Sequence, residues 1–394
     1  MTLPTGESPI SFSQIRTEFG DGTNTSTSPV RLGQYRSTDA SFTNETVGAL
    51  SNLPLDTGIP TSGTINVDSF HGKKLNVIID YYSTSENRPN VARTKYQETS
   101  ASGNRAVVGG YKDRVINDSS GSKVIIHVNK TIGSSNASVN TCAVRTGTGW
   151  ESGTDLSIEI GGSGKIYGAG GNGGAGGGKS GSNQNGAENG SNGGNGSSAL
   201  GISYSGTVVN LMSGAVIRQG YGGGGGGGSS NGTEEAGNED NLFLEHVGSG
   251  GGGGAGVPGG TGGTISSPDT SEIATDHGTQ GQPGNVGNDG SINSAGAGGA
   301  AGPNRTFGGQ GGYAGGGRGG NGGDAEQSAE NGNNGEAGGG EWQNGPDNGN
   351  GGTAGSNGAA IRKASGVSWS FGTNSGTITG EGAGGSGESP TGVS

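Results

Sequence analysis

Between residues 74 and 160, apolar and polar residues alternate with a period of two. Leu75, Val77, Ile79 and Tyr81 make one apolar set, Val124, Ile126 and Val128 a second, and Leu156, Ile158 and Ile160 a third. That period predicts half-buried strands, with antiparallel pairing and a small β-sandwich to enclose them. Nearer the N-terminus the spacing is helical. In SPISFSQIRTEFG, Phe12, Ile15 and Phe19 share one face of a short helix, Ser11 and Gln14 form a capping box, and Gly20 suits the stop. One face of a short helix is not a core, so it must dock elsewhere, together with Leu32, Tyr35 and the alternating Ile65 and Val67. The receiving surface is either a partner or the helix's own domain.

Beyond residue 160 the pattern changes to glycine. Of 97 glycines, 16 precede residue 161, which leaves 81 in the remainder. A weak repeat recurs there: SGKIYGAGG from Ser163, SGAVIRQGYGG from Ser213 and SGTITGEGAGG from Ser375. Each is a short strand running straight into a glycine block. The unequal spacing excludes a regular solenoid, which keeps one period, and predicts one compact domain whose strands hold glycine segments in register.

The glycine blocks have a physical reading of their own. A polyproline II helix has about three residues per turn, rises about 3.1 Å per residue and makes no internal hydrogen bonds. Glycine keeps the N–H that proline lacks, so such helices can bond sideways, and without Cβ their backbones approach closely. In runs such as AGGNGGAGG two faces of three can pack while Ala or Asn points outward. The expected fold is mainly β in three parts. These are an N-terminal docking module (1–73), an antiparallel β-sandwich (74–160) and a glycine-rich domain of packed polyglycine II helices capped by short strands (161–394).

Composition removes several function classes. A net charge of −12 without a basic cluster speaks against nucleic acid. Collagen needs strict G-X-Y phasing and abundant proline, and the chain has 12 prolines. Residues 1–30 lack a signal-peptide pattern, and no run of apolar residues is long enough to span a membrane. Cys142, the single cysteine, is expected as a small packed residue, and His127 as a surface residue on the polar face of its strand. Gly173–Ser180 fits the phosphate-loop pattern G-x-x-x-x-G-K-[ST], but no helix pattern follows it. No catalytic residues, metal ligands or cofactor are expected.

With these residues laid out, ISFSQIRTEFG, LGQYR and IPTSGTINVDSFHGKKL resemble the N-terminal segments of bacteriophage tail-fibre and virion attachment proteins of the marine, cyanophage-like kind. GTITGEGAGG and the glycine blocks from Gly161 resemble the glycine-rich domain of phage adhesins, including the distal long-tail-fibre adhesin of T-even-like phages. The resemblance implies polyglycine II helices carrying variable receptor-contacting loops. It implies a place on the virion, phage tail or baseplate proteins as partners, and a bacterial surface receptor, protein or glycan. A homotrimer is one open assembly state. The docking segment and the intervening β-region depart from the distal adhesin, so position on the virion and copy number do not carry over.

Glycine blocks offer few side chains, so contact falls to the segments that interrupt them. Phe243, His246, Phe307, Tyr313 and Trp342 are the candidate receptor-binding residues, since aromatic faces suit interface hot spots and sugar rings. Each aromatic could equally plug the end of a glycine helix. Phe12, Ile15, Phe19, Leu32 and Tyr35 are the candidate virion-docking residues. The competing functions are a purely structural baseplate, tail or decoration protein, an ice-binding protein, and a glycan hydrolase. Ice binding would want a uniform threonine-rich stripe, which is absent. Hydrolysis would need two carboxylates held beside a cleft, for which Glu234, Glu235, Glu239 and Asp240 qualify only by type.

Overall fold

The structure, a computed structural model, describes residues 3–6, 8–19, 32, 59–60, 62–73, 77–81, 105–108, 123–134, 138–148, 150, 152–178, 187–236, 240–246, 248–265, 285, 287–300, 317–324, 328–333, 349–382 and 391–393. The N-terminal helix, α1, is Phe12–Phe19. The capping box sets its start: Gln14 N–H donates to Ser11 Oγ at 3.1 Å and Ser11 N–H to Gln14 Oε1 at 2.7 Å. Ile15 is fully buried with Leu3, Ile59 and Phe70, and Ile10, Leu32, Ile65 and Val67 pack on that cluster. This segment therefore has a small core of its own.

The strands form mainly parallel sheets, wound as successive coils. β1 (Val77–Tyr81) and β2 (Arg105–Val108) pair antiparallel at one margin. The first coil is β3 (Lys123–Val128), β4 (Thr131–Ile132) and β5 (Cys142–Arg145). The second is β6 (Asp155–Ile160), β7 (Lys165–Tyr167) and β8 (Ser198–Ile202). The third starts with β9 (Thr207–Leu211) and β10 (Val216–Arg218). The chain then makes a long excursion that contains the hairpin β11 (Ser230–Ala236) and β12 (Asp240–His246) before closing the coil as β13 (Ile361–Lys363). The fourth is β14 (Trp369–Asn374) and β15 (Thr377–Thr379), with a parallel bridge from Thr391 to Lys363.

Like strands stack into three sheets, ordered β14-β9-β6-β3-β1-β2, β15-β10-β7-β4 and β13-β8-β5. The core is a set of aligned ladders: Ile126, Ile158, Val209 and Phe371 from the first sheet, and Ile132, Ile166, Ile217 and Ile378 from the second. Val144, Leu200 and Ile361 come from the third. Left-handed glycines turn the corners into the first sheet, as at Gly206 (φ +82) and Gly366 (φ +77).

Three expectations are corrected here. The sheets are parallel coils, not an antiparallel sandwich. Period-two alternation reports only that one face is buried, and a coil buries its inner face just as a sandwich does. The excluded solenoid is also present in kind. SGKIYG, SGAVIRQG and SGTITG are β7, β10 and β15 with their flanks, direct neighbours in the second sheet, and their spacing is unequal because the insertions at one corner differ in length. His127, expected at the surface, is 2% exposed. One sheet spans residue 160, since β6 pairs with β9.

Cys142 is buried as expected, and burial pushes its thiol up to about 12, against smaller opposing effects from Arg362 and Arg145. Because its folded pKa lies above the unfolded value, Cys142 favours the fold below about pH 9 and loses that contribution as pH rises toward 12. Iodoacetamide at pH 8 should therefore leave Cys142 unmodified in the folded chain and alkylate it in guanidinium. Ile217→Ala, which cuts one rung from a buried ladder, should cost about 2–5 kcal/mol in a denaturant titration. A loss below about 0.5 kcal/mol would mean the ladder does not hold the coils.

Candidate functional site

Two corners of the coil open into glycine. Between β7 and β8, and again between β10 and β13, the chain leaves the second sheet and returns to the third. In between it lays down extended runs at 168–178, 187–197, 220–229, 248–256, 258–265, 287–291, 294–300, 317–324, 328–333 and 349–359. The runs bond sideways with a three-residue step. Gly171, Gly174 and Gly177 donate to the carbonyls of Tyr221, Gly224 and Gly227, while Gly170, Gly173 and Gly176 donate to Pro258, Thr261 and Thr264.

Following these bonds from run to run gives three layers. Runs 187–197, 168–178 and 258–265 form one outer layer, and 328–333, 317–324 and 294–300 the other. Runs 349–359, 220–229, 248–256 and 287–291 lie between them. Runs 220–229 and 248–256 are thus enclosed by neighbours on every side. They carry the uninterrupted glycines Gly222–Gly228 and Gly250–Gly254. Every backbone N–H and C=O from Gly220 to Gly228 is paired, with Gly222 N–H donating to Asn357 Oδ1 and the rest bonding to backbone. A Cβ at Gly224 would collide with the Gly320 carbonyl, and one at Gly252 with that of Gly296. Within these two runs the side chains are few, as at Tyr221, Ser249 and Ala255, all of them buried.

Asparagine occupies many open flanks and supplies the acceptor that a missing neighbour would have provided. Asn189, Asn192 and Asn195 present Oδ1 to the N–H groups of Asn350, Thr353 and Ser356 at 2.7–2.9 Å. Gly190, Gly193 and Gly196 return N–H bonds to the carbonyls of the same three residues. Each Asn-Gly pair therefore holds both backbone groups of one residue opposite, three times in succession. Asn172 and Gly173 hold Thr261 in the same way.

The runs alternate in direction, so their ends sort into two sets. At the coil end, the connections are brief or lead back into strands, as at 256–259, 291–294 and 324–328. Arg218 of β10 secures this end. Its guanidinium stacks 4.7 Å above the Tyr167 ring and donates from Nη1 to Asn293 Oδ1 at 3.2 Å. Burial pushes the nearby Tyr221 hydroxyl up, with Arg218 opposing and Asp324 adding. At the far end the runs stop at the flanks of the long interruptions 179–186, 230–247, 266–284, 301–316 and 334–348. Their last lattice residues bond to one another there, Glu188 to Gly178, Ser229 to Glu188, Asn285 to Ala300, and Gly349 to Ser229.

The candidate residues fall into this frame unevenly. Phe243 and His246 lie on β12, opposite Thr233 and Ser230 of β11. In the chain that hairpin follows run 220–229 and precedes run 248–256, the two enclosed runs. Phe307, Tyr313 and Trp342 lie outside the described residues, but the flanks of their segments, Ala300 with Gly317 and Asn333 with Gly349, sit at the same end. Of the docking candidates, Ile15 is inside the N-terminal core and Leu32 packs on it, whereas Phe12 is 40% exposed. Phe19 ends α1, and Tyr35 lies outside the described residues. In the phosphate-loop match, Gly173–Gly178 belong to a lattice run, while Lys179 and Ser180 are outside the described residues. Sequence reading missed the Asn-Gly holds, although the three-residue spacing in NGSNGGNGS is their signal.

No family model and no curated protein matches the chain. Among solved structures it is similar to the gp37–gp38 adhesin tip complex of the bacteriophage S16 long tail fiber. The identity is 17% and the TM-score 0.36, over 90% of this chain and 98% of that one. Among the described residues no helix is long and apolar enough to cross a membrane.

Gly224→Val and Gly252→Val should each destabilise the lattice by more than about 4 kcal/mol, read as lost cooperative melting by circular dichroism. Unchanged melting in both would mean the runs are not packed. Asn192→Ala should cost about 1 kcal/mol and speed hydrogen exchange at Thr353, while Asn192→Asp, which keeps the acceptor, should change exchange far less.

Proposed function

We propose that this chain is a phage tail-fibre adhesin whose glycine runs form a polyglycine II scaffold and whose far-end segments contact the host cell. The observation that carries this reading is the sorting of the connections. The described residues that flank the five long interruptions share one end of the lattice, opposite the coil, and the sequence candidates Phe243, His246, Phe307, Tyr313 and Trp342 all belong to those interruptions. A fixed scaffold whose interrupting segments all start and end on one side suits recognition. The resemblance of the glycine blocks to phage adhesins and of residues 1–75 to virion attachment proteins agrees with it. The chain acts by binding, without a cofactor or catalytic step. Its N-terminal segment joins other tail or baseplate proteins, with the exposed Phe12 as a contact.

The alternative is a purely structural virion part, favoured only by the rigidity of the lattice. Labelled protein separates the two when mixed with the bacterium on which the parent phage grows. The adhesin should bind those cells and compete with phage adsorption, and Phe243→Ala/Trp342→Ala should lose binding with little change in melting. Full binding by that variant would remove these residues from the mechanism, and no binding by the unaltered chain would favour the structural role. Deletion of residues 1–72 should leave cell binding intact and abolish incorporation into virions, whereas normal incorporation would place attachment elsewhere.

A further inference from the structure

Asn followed by Gly is the dipeptide most open to self-deamidation, because nothing on glycine hinders its backbone nitrogen. That nitrogen loses its proton and attacks Cγ of the preceding Asn. A C–N bond forms, the side-chain amide leaves as ammonia, and the chain closes into a succinimide. Water then opens the ring at either carbonyl. One product is aspartate. The other is isoaspartate, which routes the main chain through the former side chain and lengthens it by one methylene.

The lattice is rich in this dipeptide, and a longer main chain is a change that a three-residue register cannot absorb. At Asn189-Gly190, Asn192-Gly193 and Asn195-Gly196, both reacting groups are engaged by the run opposite. The glycine N–H donates to the carbonyls of Asn350, Thr353 and Ser356 at 2.8–2.9 Å, and the Asn Oδ1 accepts their N–H groups at 2.7–2.9 Å. Asn172-Gly173 is held identically by Thr261. At Asn321-Gly322, Asn331-Gly332 and Asn357-Gly358 the same two groups are engaged, by separate residues of one neighbouring run in each case.

We propose that the lattice shields these Asn-Gly pairs from deamidation by this double engagement. The glycine N–H is fixed as a donor, so the nitrogen does not lose its proton. The Asn side chain is drawn sideways to a neighbouring run, so Cγ does not swing back over its own backbone. Burial is not the cause, because Asn172, Asn189, Asn192 and Asn195 are all exposed to water. The pattern that sets register thus also protects it, and the holds that satisfy the lattice's open flanks preserve its chemistry outside a cell.

The test is to incubate the full chain at mildly alkaline pH, with and without denaturing guanidinium, and to follow each Asn by peptide mapping and by enzymatic methylation of isoaspartate. The seven pairs should deamidate at least about tenfold more slowly in the folded chain, since reaction then waits on local opening. Equal rates in the two states at these positions would overturn the proposal. Thr353→Pro adds a second reading. It removes the N–H that holds Asn192 while suiting the extended backbone, and it should accelerate reaction at Asn192 while Asn172 stays slow. Gly193 N–H still donates to the carbonyl of residue 353 in this variant, so if Asn192 stays as slow as in the unaltered chain, the hold on its side chain is not what protects it and the double engagement is overturned.

Discussion

The structure depends on one constraint: a buried peptide group must find a partner for both its N–H and its C=O. In a helix or sheet, regular local pairing meets that need and side chains fill the space between elements. In the glycine runs nothing is paired locally, so each group must reach a neighbouring run, and neighbours can come near enough only if no Cβ stands between them. That is why the two enclosed runs, 220–229 and 248–256, are almost pure glycine, whereas runs with an open flank admit Asn, Thr, Ser or Ala there. Ordering glycine costs more backbone entropy than ordering any other residue. The saturation of every backbone group across Gly220–Gly228 is what opposes that cost, with little apolar side-chain burial to help.

A lattice of this kind has no side chains to choose its own register, and the coil chooses it instead. In the second sheet β7 pairs with β10, and the next sideways bond, Gly168 to Arg218, is already the first bond of the lattice. Gly171, Gly174 and Gly177 then keep the same offset to Tyr221, Gly224 and Gly227. On the return side β8 pairs with β13 through Leu200 and Ile361, and the Asn holds keep a constant separation of 161 residues along the whole run. Hydrophobic ladders, which are specific, thus fix the alignment of backbone ladders, which are not.

Much of this was legible in the residues. The strands at 77–81, 123–128 and 155–160, the capping box at Ser11, and the demand for sideways glycine packing all follow from spacing and from the chemistry of a missing Cβ. The parallel sense of the sheets was not, because alternation records a buried face and is silent about strand direction. The coil was hidden for a related reason. Its repeat is of register, not of chain length, and the sequence shows only length. The candidate site was half legible. That contact residues must interrupt the glycine is a compositional argument, but that the flanks of their segments share one end comes from the alternating direction of the runs, which no single segment reveals.

Loop closure sets a physical contrast between the runs and the connections that join them. The entropic cost of closing a connection grows only as the logarithm of its length, about 0.6 kcal/mol per doubling, so a longer connection between two runs costs the fold little. The runs have no such freedom. One residue added to 187–197 would shift the Asn positions off the N–H groups they hold and turn side chains toward neighbours that leave no room for Cβ. At the coil end, a change in 291–294 would release the Arg218 contact to Asn293. The fold therefore fixes the enclosed glycines by geometry, because the carbonyls of neighbouring runs leave no room for a Cβ.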